Sequence, residues 1–134
     1  MDTGQVGLDG EALAAAYLQS RGYVVLHRRY RFERAEIDLV CFEPRRDGHP
    51  GGELVFVEVK TRTSEAYGAP EEGLLPQQRR NILHAARAYL YERRLEGASV
   101  RFDMVAVSYE CPKQRRTAGA DAPSVRHYKH AFTG

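Results

Sequence analysis

The sequence contains few cysteines and no long apolar run. Two cysteines, Cys41 and Cys111, among 134 residues are too few for a disulfide framework or for a zinc site made of thiolates. No segment approaches the roughly 20 apolar residues that a membrane helix needs. The first residues also lack the basic and apolar regions of a signal peptide. These absences predict a soluble protein of the cytoplasm that has no membrane partner.

The charges nearly balance, with 20 basic against 18 acidic residues and a formal net charge of +2, but their distribution is uneven. Five arginines and a single acid, Glu33, lie between Arg21 and Arg34, and the segment after Glu110 is also rich in basic residues. Basic clusters offset by acids elsewhere suit a protein that contacts phosphate groups and also holds a cation. Arginine-rich surfaces are common in other proteins too, so the charge pattern alone leaves both interpretations open.

The pattern of apolar residues predicts two helices and four strands. We expect the helices over 6–21 and 76–94, the strands over 23–32, 36–42, 54–61 and 100–108, and a short further strand over 125–132. Asp9 is expected to cap the first helix, while Gly22 and Gly97 are expected to end the two helices. Loops are expected at 43–52, 62–75 and 111–124, and the first and last of them are expected to be flexible.

The predicted order is α-β-β-β-α-β, without an internal repeat. The length fits one domain over residues 1–134, since domains usually hold about 100–150 residues. Helices before and after a run of strands imply an α/β fold, in which helices flank a central mixed sheet.

Charged residues interrupt two of the most apolar strands. Side chains of a strand alternate between its two faces. Glu36 and Asp38 are therefore expected on one face of the second strand, and Ile37 and Leu39 on the opposite face. The same rule places Phe56, Glu58 and Lys60 together on the third strand.

Asp38, Glu58 and Lys60 converge on one point if these two strands are neighbours in a hairpin. Charged groups among apolar residues are costly unless something compensates them. Mg²⁺ or Mn²⁺ is a natural compensator for two carboxylates and a backbone carbonyl, and it would activate a water for phosphodiester hydrolysis. Lys60 would orient that water or neutralise the phosphate. The competing interpretation is an exposed sheet face on which Glu58 and Lys60 form a salt bridge.

Several short motifs follow one another along most of the chain. They are Gly10-Glu11, Ala14, Tyr17-Leu18, Gly22-Tyr23, Glu36-Ile37-Asp38-Leu39-Val40, Val55-Phe56-Val57-Glu58-Val59-Lys60-Thr61-Arg62, Tyr67-Gly68, Arg101-Phe102-Asp103 and Ala131-Phe132. In these motifs and their order the sequence resembles the YraN-like family of small bacterial proteins. That family is related to Holliday junction resolvases within the PD-(D/E)xK, or restriction-endonuclease-like, nuclease superfamily.

The resemblance implies a restriction-endonuclease-like core. It assigns Asp38 and Glu58 as metal ligands and Lys60 as the catalytic lysine, in agreement with the interpretation of the strands. It also implies that Glu11 helps to hold metal or water. The alternative for Glu11 is an ordinary glutamate in the first turn of a helix, which the helix dipole favours.

Two further polar residues are expected to support the site from behind the ligands. They are Glu36, at a strand start, and Gln77, at the start of the second helix. The family usually has a lysine at position 77, so Gln77 weakens any catalytic role for this helix. The chain also has Ala35 in place of a usual glycine and Arg29 in place of a usual asparagine.

The role of Asp103 has two interpretations. Asp103 either joins the acidic cluster or pairs with an arginine as a structural lock, and we favour the lock. The histidines are isolated, and none is assigned a role. Tyr30 and Phe32 alternate with arginines, but aromatic strand residues belong more often to the core than to a stacking surface.

Several arginines are candidates for phosphate contacts, two of them near the start of the second helix. They are Arg28, Arg29, Arg31, Arg34, Arg62, Arg79 and Arg80. Together these features predict a Mg²⁺- or Mn²⁺-dependent endonuclease that acts on DNA, with branched and damaged DNA as candidate substrates. The alternatives are a nucleic-acid-binding module without turnover and an interaction protein of the same fold. Because related resolvases act as dimers, a homodimer is also expected.

Overall fold

The computed structural model describes residues 3–45, 50–62, 75–109 and 123–132. It contains the helices α1 (Thr3–Ser20) and α2 (Pro76–Glu92) and the strands β1 (Val24–Phe32), β2 (Ala35–Pro44), β3 (Gly52–Arg62), β4 (Val100–Ser108) and β5 (Ser124–Tyr128). The tip of the predicted loop at 43–52 and most of the loops predicted at 62–75 and 111–124 lie outside the described residues.

The five strands form one sheet in the order β1-β2-β3-β4-β5. Strands β3 and β4 are parallel, whereas the other neighbours are antiparallel. Parallel neighbours need a crossover connection, and α2 lies between β3 and β4 in the chain. The predicted mixed sheet is therefore confirmed. None of the described helices is long and apolar enough to cross a membrane.

One face of the sheet is covered by α1. Its small and apolar side chains pack on β2, β3 and β4, and the buried members of this cluster are Ala14, Ala15, Leu18, Tyr23, Leu39, Cys41, Val55, Val57, Val59, Val105 and Val107. Gly10 lets the helix approach β3 closely, because a Cβ at this position would collide with the side chain of Thr61. The close approach brings the next residue, Glu11, near the ends of the central strands.

The other face is covered by α2, and here the predicted apolar stripe is confirmed. Its buried residues are Ile82, Ala85, Ala86 and Tyr89, and Leu90 is partly buried. They pack against a second cluster that includes Ala35, Ile37, Val40, Leu54, Phe56, Met104 and Phe132. The two helices therefore lie on opposite faces of the sheet, as the order of elements predicts.

Three predicted boundaries are wrong. The first helix already begins at Thr3, so Asp9 lies inside it and does not cap it. The second helix ends at Glu92, and the turn after it is made by Arg94, with a φ of 57°, before Gly97 is reached. The last strand ends at Tyr128 and does not extend to residue 132. Gly22, with a φ of 92°, follows the first helix as predicted.

The predicted alternation of β2 is also wrong at one point. Ile37 lies in the cluster under α2, whereas Leu39 lies in the cluster under α1, so these two residues face opposite sides of the sheet. The alternation breaks at the residue between them, Asp38. On β1, the residue between the partners of Leu39 and Ile37 is Arg29, whose φ is 54°. A left-handed residue kinks a strand, and the break at Asp38 lies at the same level of the sheet.

Candidate active site

The kink in β2 positions Asp38 against the end of β3. The strands β2 and β3 pair from Leu39 to Pro44. Beyond that pairing, Oδ2 of Asp38 accepts a hydrogen bond of 2.7 Å from the backbone N–H of Val59. The carboxylate thus replaces a backbone carbonyl as the partner of β3 and is held in a fixed orientation.

Glu58 and Lys60 lie on the same strand, two residues apart. Phe56, on the same strand face, belongs to the cluster under α2, in agreement with the predicted shared face. Nζ of Lys60 lies 3.9 Å from Oε1 of Glu58, and the two side chains are only 20% and 15% exposed. The structure therefore brings together the three residues that the sequence predicts to converge. Glu58 and Lys60 form the salt bridge of the competing interpretation, but on a partly buried and not on an exposed part of the sheet.

The two carboxyl groups at this point are difficult to ionise together. Burial raises the pKa of Glu58, and so do the charge of Asp38 and a hydrogen bond with Asp38. Burial also raises the pKa of Asp38, against the hydrogen bond from Val59, with a smaller contribution from the charge of Glu11. A hydrogen bond between two carboxyl groups requires that one of them carry a proton. This arrangement favours any cation that enters between them.

Glu11 of α1 reaches the same region but already has a cationic partner. Nε and one terminal nitrogen of Arg29 donate to its two carboxylate oxygens over 3.1 and 3.4 Å. The interpretation of Glu11 as a first-turn glutamate is wrong, because α1 begins eight residues earlier, at Thr3. Glu11 therefore borders the acidic pair of Asp38 and Glu58, and Arg29 balances its charge.

Glu36 borders the site from another direction. Its carboxylate accepts a hydrogen bond of 2.7 Å from Arg31, a residue that is itself 74% exposed. Glu36 and Glu58 also line a small cavity of about 110 Å³, which is completed by Gln78, Asn81 and Ile82 of α2.

The structure places Gln78, and not Gln77, at the position beside the site that the sequence predicts for Gln77. The side chain of Gln77 donates to Asn81 and accepts from Arg80, both on α2. Gln78 lines the cavity beside Glu58, and its side-chain oxygen accepts from the backbone N–H of Leu75. Because residues 77 and 78 are both polar, the helical turn alone decides which of them faces the sheet.

The predicted phosphate-binding arginines fall into two groups. Arg29 and Arg31 are engaged by Glu11 and Glu36 and act first as partners of those acids. Arg28 and Arg34 of the first hairpin and Arg79 and Arg80 of α2 are exposed, and Arg62 is half-buried at the end of β3. Tyr30 and Phe32 pack against the cluster under α2, so their interpretation as core residues is confirmed.

The donor set of the site fits a hard divalent cation. Within the described parts of the chain, no three histidine, cysteine or acidic side chains form a group that could hold a metal by themselves. Asp38 and Glu58 supply two partly buried carboxyl groups that are hard to ionise together without a cation, and oxygen ligands of this kind suit Mg²⁺ or Mn²⁺. Such ions usually keep several waters, so two carboxylates are a sufficient protein contribution.

Asp103 forms a structural lock away from this site. Its two oxygens accept hydrogen bonds of 2.8 Å each from Nε and Nη2 of Arg101, and Oδ2 also lies 2.7 Å from Nε2 of His127. Arg101 receives further support from Glu43 and Tyr23. Burial opposes the ionisation of Asp103, but the hydrogen bonds outweigh it and lower the pKa of this carboxyl group.

The lock includes a histidine to which the sequence pattern assigns no role. His127 lies on β5 opposite Val105 of β4, which places its ring beside Asp103. The sequence does contain a signal for this role of His127. A buried aspartate needs more than one donor, and His127 lies on the next predicted strand. The spacing of histidines in the sequence could not reveal it, since the partner is an acid on another strand.

Together, these observations define an α/β protein with a five-stranded mixed sheet and a partly buried pair of carboxyl groups beside a lysine. Residues 10–107 match Uncharacterised protein family UPF0102, and the chain belongs to this family. A UPF0102 protein of Anaeromyxobacter dehalogenans (strain 2CP-C) is 42% identical over 129 residues, which cover 96% of this chain and 84% of the relative. Another, from Moorella thermoacetica (strain ATCC 39073 / JCM 9320), is 42% identical over 115 residues, covering 86% and 88%.

Proposed function

We propose that this protein is a Mg²⁺- or Mn²⁺-dependent endonuclease of the restriction-endonuclease-like superfamily that hydrolyses phosphodiester bonds of DNA. The observation that carries the proposal is the placement of two partly buried carboxyl groups on neighbouring strands: Asp38 accepts from the N–H of Val59, and Glu58 precedes Val59 with the ammonium group of Lys60 at 3.9 Å. Two carboxyl groups that cannot ionise together without a cation are costly in a protein that does not use them.

The arrangement of elements supports the same proposal. An acid at the kink of one strand and a Glu-x-Lys sequence on its antiparallel neighbour form the motif of the PD-(D/E)xK superfamily, which the sequence resembles. Here these strands are β2 and β3, with α1 before the hairpin and α2 after it. The likeness to the superfamily is one of fold and motif, whereas the donor chemistry of the site is independent of that likeness.

Each residue of the site has a distinct task in this proposal. Asp38, whose orientation is fixed by Val59, and Glu58 hold the cation. The cation would supply charge stabilisation and a more acidic bound water. Lys60 balances the carboxylate of Glu58 and presents a cationic donor to the phosphate or to the attacking water.

The exposed arginines at the two sides of the site supply the contacts to nucleic acid in this proposal. Arg28 and Arg34 belong to the β1–β2 hairpin, which carries Asp38, and Arg79 and Arg80 begin the helix that lines the cavity beside Glu58. Phosphate contacts by arginine position a nucleic acid without reading its sequence. DNA with branches or damage is the substrate class that we propose, in a homodimer as in the related resolvases.

The proposal is tested by measuring Mn²⁺ binding by calorimetry and cleavage of single-stranded, duplex and four-way-junction DNA. Asp38→Asn keeps an oxygen that can accept from Val59 but removes the charge, so we expect it to lose both metal binding and cleavage. Lys60→Ala is expected to lose cleavage while it still binds Mn²⁺. Glu96→Gln and Lys129→Ala remove an acid and a lysine that are exposed, and they are the matched controls.

The alternatives make different predictions in the same assays. Salt-dependent DNA binding without cleavage, unchanged in Asp38→Asn, would indicate a nucleic-acid-binding module and contradict the enzyme. Absence of both metal and DNA binding would contradict both and leave an interaction protein of the same fold.

A further inference from the structure

An apolar groove lies between α2 and the end of β1, beside the candidate active site. It has a volume of about 460 Å³ and is lined by Phe32, His84, Arg87, Ala88, Tyr91 and Glu92. The rings of Phe32 and His84 meet edge to face, with their centroids 5.2 Å apart. Nothing in the described parts of the chain covers Tyr91, which is 74% exposed. An aromatic ring that is accessible to this degree offers a surface on which another planar group can stack.

The charges around the groove favour an anionic ligand. The helix α2 carries Arg79, Arg80 and Arg87, and its single acid is the last residue, Glu92. Glu92 accepts a hydrogen bond of 2.8 Å from Tyr30 and lies 3.6 Å from Arg93, so its charge is already compensated. The other acid nearby, Glu33, lies 3.4 Å from His84.

A second copy of the chain is a poorer occupant than a nucleic acid. A two-fold contact through this surface would bring the arginines of α2 close to the same arginines of the other copy. A ligand with a planar apolar part and a phosphate backbone matches both the aromatic wall and the positive charge.

The same helix joins the groove to the carboxylate pair. Gln78, Asn81 and Ile82 line the small cavity beside Glu58, and the following turns of α2 line the groove. Asn81, His84, Ala88 and Tyr91 recur every three or four residues and form one stripe along the helix. At 1.5 Å per residue, the α2 residues that line the cavity and those that line the groove are centred about 12 Å apart along the helix. One nucleic-acid strand can therefore pass from one site to the other.

We propose that this groove binds an unpaired base of a single-stranded nucleic-acid segment whose backbone passes the site of Asp38 and Glu58. The base stacks on Tyr91 and contacts Phe32, while Arg87 binds an adjacent phosphate. This inference rests on the proposed nucleic-acid function and adds a substrate class to it, because a fully paired base in a duplex cannot enter the groove. Binding here favours junctions, flaps and damaged sites, where bases are unstacked at lower cost.

The experiment compares two short fluorescent strands of equal length, an oligothymidylate and its abasic counterpart, which has the same phosphates but no bases. Fluorescence anisotropy is measured in EDTA, so that binding is recorded without a metal ion and without cleavage. We expect the wild-type protein to bind the oligothymidylate more tightly than the abasic strand. Tyr91→Ala should weaken binding of the oligothymidylate about tenfold and leave the abasic strand unaffected, whereas Tyr91→Phe should retain the wild-type preference.

Two further variants separate stacking from charge. Arg87→Ala should weaken binding of both strands by the same factor, since a phosphate contact does not depend on the base. Leu26→Ala removes an apolar side chain that is 44% exposed on β1, outside the groove, and should change neither affinity.

Several results would overturn the inference. Equal affinity of the wild-type protein for the two strands would refute the base site but leave the proposed nuclease intact. Unchanged binding in Tyr91→Ala would refute it as well. Failure to bind either strand would contradict the proposed nucleic-acid function itself. A dimer in light scattering that Tyr91→Ala converts to a monomer would make a second copy the occupant.

Discussion

Oδ2 of Asp38 accepts a 2.7 Å hydrogen bond from the backbone N–H of Val59, next to Glu58 on the neighbouring strand. This bond ties the kink of β2 to the end of β3, where regular pairing of the two strands has stopped. Because Val59 faces α1, its neighbour Glu58 points to the opposite face and toward α2. The hydrogen bond thus fixes the carboxyl group of Asp38 on the strand that carries Glu58, and the alternation of that strand directs Glu58.

The first prediction concerns the stability of the metal-free protein at different pH values. Burial and the charge of Asp38 raise the pKa of Glu58 above its ordinary value. The folded protein therefore binds this proton more tightly than the unfolded chain does. Its free energy of unfolding should fall as the pH rises from the ordinary carboxyl range, near about pH 4, toward the raised pKa.

Glu58→Gln should remove most of this fall in the free energy of unfolding with rising pH. Urea denaturation in EDTA should show a variant that is more stable than the wild-type protein at alkaline pH and less dependent on pH. Glu96→Gln, at an exposed acid, should keep the wild-type profile. A wild-type stability that stays constant from about pH 5 to about pH 8 would contradict the strained carboxyl pair.

The second prediction concerns the backbone of Arg29, whose φ is 54°. A residue with a side chain loses roughly 1–2 kcal/mol in this left-handed conformation, whereas glycine loses little. The ion pair with Glu11 is partly exposed and contributes little to the stability. Both variants, Arg29→Gly and Arg29→Ala, lose the ion pair, but only glycine relieves the backbone. We therefore expect Arg29→Gly to be more stable than Arg29→Ala by about 1 kcal/mol in chemical denaturation.

Arg28 is the matched control, since it is exposed on the same strand and has no positive φ. At an ordinary strand position alanine is more favourable than glycine by roughly 0.5–1 kcal/mol. The order of the two variants should therefore be reversed between positions 28 and 29. The same order at both positions would show that no kink exists at Arg29.

The third prediction concerns the lock around Asp103. Asp103→Asn removes the charge of the most buried of the three carboxylates around the guanidinium group of Arg101, while Glu43 and Glu53 stay in place. We therefore expect a loss of about 1–3 kcal/mol in the free energy of unfolding, less than for a buried charge left without any partner. The difference in the free energy of unfolding between the wild-type protein and the variant should be largest at neutral pH. It should shrink as the pH falls through the lowered pKa of Asp103, because the wild-type carboxylate is then protonated as well.

This lock and the candidate active site are separate, so the variant also tests their independence. Asp103→Asn should keep the wild-type affinity for Mn²⁺ in calorimetry at a temperature where it remains folded. A large loss of affinity would indicate that Asp103 takes part in the metal site, the interpretation that we did not favour.

Much of the fold follows from local patterns in the sequence. The helices and strands are predictable because the apolar stripe of α2 and the apolar runs of β3 and β4 have clear periods. The convergence of Glu58 and Lys60 follows from alternation alone, since β3 is regular there. These features depend on neighbours along the chain and need no knowledge of distant contacts.

The remainder depends on contacts between distant segments. The sequence cannot reveal the kink at Arg29 and Asp38, because neither residue is a glycine or proline. Polar and apolar residues also alternate regularly in the sequence around Asp38. The pairing of Glu11 with Arg29 requires the close approach of α1 at Gly10. The role of His127 requires the pairing of β5 with β4. In each case the decisive partner lies far away in the chain.

The proposed metal site can be tested directly by locating Mn²⁺ in crystals of the protein through its anomalous scattering. We predict a single strong peak in contact with carboxylate oxygens of both Asp38 and Glu58, which disappears in crystals of Asp38→Asn and persists in Glu96→Gln. A peak that avoids these two residues, or their carboxyl groups still hydrogen-bonded to each other in the presence of saturating Mn²⁺, would contradict the account.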